Sequence, residues 1–114
     1  MVLFGIKNCD TVKKARRWLD ANDVSFSFHD LRADGLEPAT IEVWLQNVSW
    51  ETLINKRGTT WRKLEDVRKE QLDEATAVEL MLANPTLIKR PVITVNNDCL
   101  VGFKEADYAA YFGK

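Results

Sequence analysis

The chain has 114 residues, a length that suits one domain, since a second hydrophobic core would have too little sequence to build it. It is 46% hydrophobic and 29% charged, with 16 Lys and Arg against 17 Asp and Glu. That composition excludes a disordered tail, and the balance of charge removes the cationic excess on which direct nucleic-acid binding depends. Cys9 and Cys99 are too few for the disulfide framework of a small secreted domain. No apolar run approaches the roughly 20 residues of a membrane span, and the start lacks a signal-peptide core, so a cytoplasmic protein with reduced thiols is expected.

In chain order, the apolar run Val2 to Ile6 has the length of a strand buried on both faces. Val12, Ala15, Trp18 and Leu19 then recur at helical spacing, with Lys13, Lys14, Arg16, Arg17 and Asp20 on the other face, until Ala21 to Asp23 stops the pattern. Val24, Phe26 and Phe28 alternate with polar residues, which predicts a second strand, parallel to the first because a helix intervenes. Pro38 opens a helix that presents Ile41, Trp44, Leu45 and Val48 on one face. Two more helices are expected, over about Arg62 to Lys69 and over Asp73 to Ala83, the latter burying Val78, Met81 and Leu82. Pro91 to Val95 and Cys99 to Phe103 flank a polar turn and predict an antiparallel hairpin. A last helix, about Lys104 to Phe112, ends at Gly113. The expected fold is therefore α/β, one mixed sheet with helices and a helical insertion over about 38–84, within a single domain spanning 1–114.

The chemistry centres on Cys9, set where the first strand gives way to the first helix. The unpaired N–H groups and positive dipole end of a helix N-terminus favour an anion, here the thiolate. A free thiol is only about 3% ionised at pH 7, so stabilisation of this kind makes a nucleophile. Lys7 adds positive potential and Asp10 opposes it. The residue three beyond Cys9 is Val12, so no local dithiol exists and any redox cycle must borrow a second thiol. Cys99, at the head of a strand, suits packing better than a resolving role. His29 suits a strand surface better than a triad, and one histidine with two cysteines at long spacing offers no metal-ligand cluster. Lys89 to Val92 (KRPV) places an arginine fork, Arg90, before a proline that fixes a turn at a strand entry. Asn55 to Gly58 (NKRG) suits either a solvated loop or, through Lys56 and Arg57, part of an anion pocket.

Three motifs taken together, NCDTVKKAR, LINKRGTTWRKL and NPTLIKRPV before the hairpin, give the chain a family likeness. It resembles the arsenate reductase and Spx-like family, and within it the small YffB-type reductases, over nearly its whole length. The resemblance implies a thioredoxin-like fold, a mixed four-stranded sheet flanked by helices, with Cys9 as nucleophile. It further implies Arg90 as the arginine of the RP motif and Pro91 as a cis proline. The positions expected to bind substrate or glutathione are Lys7, Asn8, Asn55, Arg57, Arg90 and Pro91. Two further arginines of the arsenate reductases are replaced, by Asn55 and Gly102, with Lys56, Arg57 and Lys104 nearby as other sources of charge. That departure favours a disulfide over arsenate. Spx-like regulators often carry a CxxC switch, which Val12 removes here. The expectation is a glutathione-dependent thiol reductase with no tightly bound cofactor and no metal. Glutathione is its co-substrate, glutaredoxin a further candidate partner, and neither nucleic acid nor membrane is a direct one. A monomer is expected. A regulatory protein-binding module without turnover and a true arsenate reductase are the alternatives.

Overall fold

The computed structural model describes residues 1–114. Its elements run β1 (Val2–Gly5), α1 (Asp10–Ala21), β2 (Ser27–Asp30), α2 (Pro38–Leu45), α3 (Trp50–Leu53), α4 (Thr59–Lys63), α5 (Glu74–Ala83), β3 (Val92–Val95), β4 (Asp98–Val101) and α6 (Glu105–Phe112). Short 3₁₀ turns lie at Val67–Glu70 and Pro85–Leu87. The chain forms two compact units, Met1–Asp34 with Arg90–Lys114, and Gly35–Lys89. No helix is long and apolar enough to cross a membrane.

The first unit is a four-stranded mixed sheet in the order β2-β1-β3-β4, with β1 and β2 parallel and the other pairs antiparallel. Phe28, Leu3, Ile93 and Leu100 form one row across all four strands. This row faces α1, whose Val12, Ala15 and Leu19 are fully buried in the same cluster as Leu3, Ile93 and Tyr108. The period-3.6 stripe in the sequence is thus the buried face of α1. Trp18 meets the Tyr108 ring edge-on at 5.7 Å, and Phe103 does so at 4.8 Å, which ties α6 to α1 through aromatic contacts. Gly5 lets α1 lie close to β1: a Cβ there would stand 2.9 and 3.0 Å from the two methyls of Val12. Gly113, in the left-handed region at φ 70°, closes α6 as expected.

Three boundaries in this unit differ from the sequence expectation. Ile6 is buried but lies outside β1, because the chain has already turned toward α1. The second strand starts at Ser27 rather than Val24. Val24 and Phe26 keep the alternating burial, but the parallel register begins at Val2↔Ser27. The hairpin turn is two residues, Asn96 and Asn97, because Val95 pairs with Asp98; Asn96 takes a positive φ of 52°.

In the second unit, α2 and α3 pack on α5, and Ile41, Trp44, Leu53, Ala77, Leu80, Met81, Leu87 and Ile88 are fully buried. The expected burial of Val78 and Leu82 is corrected: α5 turns Ala77, Leu80 and Met81 inward, and Val78 and Leu82 lie half-buried beside that stripe. The expected helix over Arg62 to Lys69 is two pieces, α4 and a 3₁₀ turn. Asp66 breaks the run by accepting from Arg68 N at 2.9 Å and holding the Arg68 guanidinium at 2.7 and 3.0 Å. That clamp draws the Asp66 carboxyl down to about 2 and raises Arg68. The short α3, capped by Ser49, was not foreseen, since four residues carry too little periodicity to see. Asp73 and Thr76 form a reciprocal capping box that starts α5.

Candidate active site

The site grows out of the C-terminal end of β1. After Gly5 and Ile6 the chain turns through exposed Lys7 and Asn8, and Cys9 N donates back to Ile6 O at 3.2 Å. Cys9 is then the N-cap of α1, extended at φ −104° and ψ 122°, and its carbonyl accepts the first helical bond from Lys13 N at 3.0 Å. An N-cap side chain normally carries an oxygen that accepts from the first-turn N–H groups. Here the position holds sulfur, and Sγ makes no capping hydrogen bond. Asp10, Thr11 and Val12 therefore present N–H groups with no partner inside the helix, at its positive end. The side chain is half-buried: one side packs beside the Leu3, Val12 and Tyr108 cluster and the rest reaches solvent.

Arg90 and Pro91 arrive at the same end of the sheet. The antiparallel register of β1 and β3 runs Val2↔Thr94, Leu3↔Ile93, Phe4↔Val92, so the next position sets Pro91 beside Gly5, where the chain leaves for Cys9. The Arg90–Pro91 bond is cis, as the family likeness implied, and Arg90 is half-buried. Pro91 O accepts from Gly102 N at 2.8 Å, which extends the β3–β4 ladder by one step. Gly102 holds φ 79°, a left-handed conformation that glycine adopts without steric cost, and its carbonyl accepts the Tyr108 hydroxyl at 2.8 Å. Burial raises the Tyr108 phenol well above its ordinary value, so it stays a donor. Gly102 thus shapes the turn after β4.

Asp30 is a member of this sheet end that the sequence reading missed. It lies opposite Gly5 at the end of β2, and its carboxylate accepts from Arg32 N at 2.8 Å, Ala33 N at 3.0 Å and Lys7 N at 3.4 Å. These bonds, led by the one from Ala33 and aided by the charge of Lys7, hold the carboxyl below its usual range. The Lys7 cation therefore faces an anion, which offsets part of the positive potential expected of it at Cys9. DLRAD, with one Asp four residues before another, is the only signal that pointed there.

Two other candidates in this unit, Cys99 and His29, hold other positions in the sheet. Cys99 pairs with Thr94, in the row of Val2, three rows from Gly5, or about 10 Å at the usual strand rise. Its neighbour Leu100 packs against the cluster under α1, so strand alternation turns the Cys99 side chain to the other face of the sheet, away from the helix that Cys9 begins, and Cys99 is not positioned to resolve Cys9. Burial pushes its thiol up to about 11. His29 lies half-buried in β2 with its ring 4.9 Å from Phe4 across the β1 pair, a packing position. Asn55 and Arg57 belong to the second unit. Asn55 N donates to Leu87 O at 2.7 Å, its Oδ1 accepts from Arg57 N at 3.0 Å, and its amide covers Gly58, the N-cap of α4. The Arg57 side is exposed, and Lys56 stands 5.9 and 5.8 Å from the Trp50 and Trp61 rings.

Comparison with known proteins places this arrangement. The model of the ArsC family matches residues 4–111. A solved structure of the YffB protein is 51% identical, with a TM-score of 0.91, covering 96% of each chain. The solution structure of an arsenate reductase related protein from Brucella melitensis is 47% identical, with a TM-score of 0.78, covering 99% of this chain and 94% of its own. The global transcriptional regulator Spx of Streptococcus mutans is 31% identical over 97% of this chain and 82% of its own. The mixed sheet flanked by helices is the thioredoxin-like fold of these neighbours. By sequence and fold this chain belongs to the ArsC family, on the YffB-type side that also resembles Spx.

Proposed function

We propose that this protein is a glutathione-dependent thiol–disulfide reductase that works through one nucleophilic cysteine, Cys9. The observation that carries the reading is the N-cap position of Cys9, half-exposed, with Sγ uncommitted and three first-turn N–H groups directed at the helix start. Those donors stabilise a thiolate in the resting enzyme and again when it departs as leaving group. In the first step the Cys9 thiolate attacks one sulfur of a disulfide R–S–S–R′. A Cys9–S–S–R bond forms, the original S–S bond breaks, and R′–S⁻ leaves with the electron pair and takes up a proton. A glutathione thiolate then attacks the R sulfur, which frees the Cys9 thiolate and gives R–S–S–glutathione. A second glutathione reduces that product in solution to R–SH and oxidised glutathione. Arg90, whose backbone reaches the same end of the sheet, is the cation assigned to a carboxylate of glutathione or of the substrate.

Incubation with oxidised glutathione followed by mass spectrometry tests this reading. One glutathione on Cys9, removed by excess reduced glutathione, is expected, and Cys9→Ser should carry none. No adduct at Cys9 would overturn the proposal.

The likeness to Spx over almost the whole chain favours a second reading, a protein-binding regulator in which Cys9 does not turn over. Cys9→Ser separates the two: an intact cellular phenotype in that variant supports the regulator, a lost one the enzyme. Turnover of arsenate with glutathione and glutaredoxin would instead support arsenate reduction.

A further inference from the structure

The exposed face of α1 carries a cationic stripe that the stability of the helix does not require. Four of the chain's 16 Lys and Arg fall at positions 13, 14, 16 and 17, in a protein whose net charge is −1. Lys13, Arg16 and Arg17 lie four, seven and eight residues beyond Cys9, so they share its side of the helix. With Asp20 they line a shallow open groove. Arg16 is anchored there, its guanidinium 4.4 Å above the Phe28 ring of β2, while Lys13 and Arg17 are exposed.

Helix stability does not account for this placement. Lys13 repels Arg16 and Arg17 at the i,i+3 and i,i+4 spacings where like charges destabilise a helix. Cations also belong at a helix C-terminus, yet the last turn of α1 has none. Asp20 shares their groove and offsets part of the charge, but three cations against one carboxylate leave the groove positive. The stripe has distance as well as sign. It runs from about 6 to about 12 Å beyond Cys9 along the helix axis, at the α-helical rise. An extended peptide covers that span in about two to four residues.

We infer that the Cys9 site prefers disulfides of peptides or proteins bearing Asp or Glu two to four residues from the reacting cysteine, with the acidic segment lying along Lys13, Arg16 and Arg17. The inference rests on the reading of Cys9 as a nucleophile and specifies its substrate class. Four cations on one helix of a net-acidic protein match a short acidic segment better than the long phosphate backbone of a nucleic acid.

Peptides joined through one cysteine to 2-thiopyridine test it. The Cys9 thiolate attacks the peptide sulfur, the Cys9–peptide disulfide forms, and pyridine-2-thiolate leaves, takes a proton and is read by absorbance. Four peptides are compared: acidic at positions two to four, neutral there, lysine there, and acidic only eight residues away. Each rate is divided by that of the same peptide with free cysteine. At low salt the near-acidic peptide should react about tenfold faster than the neutral one, the modest end of electrostatic steering. The lysine peptide should be slower than neutral, and the remote-acid peptide should fall near neutral. The near-acidic advantage should shrink toward unity at high salt and in the Lys13→Gln/Arg17→Gln variant. Equal rates for near-acidic and neutral peptides, or an advantage that survives that variant, would overturn the inference while leaving Cys9 as nucleophile. So would tight binding of duplex DNA lost in the same variant without any peptide preference. No release from any peptide overturns the nucleophile reading itself, and this inference with it.

Discussion

Cys9 and Cys99 are both half-buried in the sheet-bearing unit, yet their surroundings differ in kind. Cys99 sits within a β-ladder, its backbone paired to Thr94 and its thiol pushed up to about 11 by burial with no compensating donor or cation. Cys9 occupies the N-cap of α1, where the first-turn N–H groups have no partner inside the helix, and its Sγ makes no capping bond. The same half-burial thus comes with different surroundings. Peptide dipoles act on a cysteine alongside burial and nearby charge: a helix start leaves three N–H groups pointing outward, whereas a strand ladder pairs its own.

The sharpest way to break that contrast is to remove each sulfur in turn. Cys9→Ser should reduce exchange with oxidised glutathione by about a thousandfold or more, a hydroxyl being a far poorer nucleophile than a thiolate. Cys99→Ser should change the rate by less than about twofold, because its side chain lies on the face of the sheet away from α1. A larger loss in the second variant would give Cys99 the resolving role that its side of the sheet denies it.

Alkylation by iodoacetamide, read by peptide mapping, sharpens the same contrast. At pH 7 a thiol at about 11 is ionised to only about one part in ten thousand, so label should accumulate on Cys9 and leave Cys99 bare. Labelling of Cys99 should rise about tenfold per pH unit until about 11. The linked stability has a fixed sign. The folded value lies above the ordinary 9.0, so this thiol's contribution is intact below about 9 and is lost as pH rises through about 11. Urea midpoints should fall across that window in the wild type and fall less in Cys99→Ala.

Smaller effects follow from the supports of the Cys9 end. Gly5→Ala drives a methyl to within 2.9 Å of Val12 and should cost about 1–3 kcal/mol in urea unfolding, as overpacking does. Because Val12 lies in the first turn of α1, the same variant should slow alkylation of Cys9 and leave Cys99 unchanged. Val12→Ala in the Gly5→Ala background should recover part of the loss, a coupling that a double-mutant cycle measures. Tyr108→Phe removes the hydrogen bond to Gly102 O and should cost about 0.5–1.5 kcal/mol, the smallest change of the set.

The sequence alone determined the order of elements, the amphipathic stripe of α1, the parallel β1–β2 pair, the hairpin and the place of Cys9 at a helix start. Each is local, written in periods of 2 and 3.6 or in a break between them. The α4 segment was misjudged because the clamp of Asp66 on Arg68, not periodicity, ends the helical run. Val78 and Leu82 were misjudged because α5 is apolar nearly all round, so only its packing against α2 and α3 selects the inward face. Tertiary structure decided how Arg90 and Pro91, expected at the site from the family likeness, meet Gly102 and Asp30 at the sheet end where Cys9 emerges. They come from strands up to about ninety residues apart in sequence, and their meeting is set by strand register, a long-range property that local patterns do not encode.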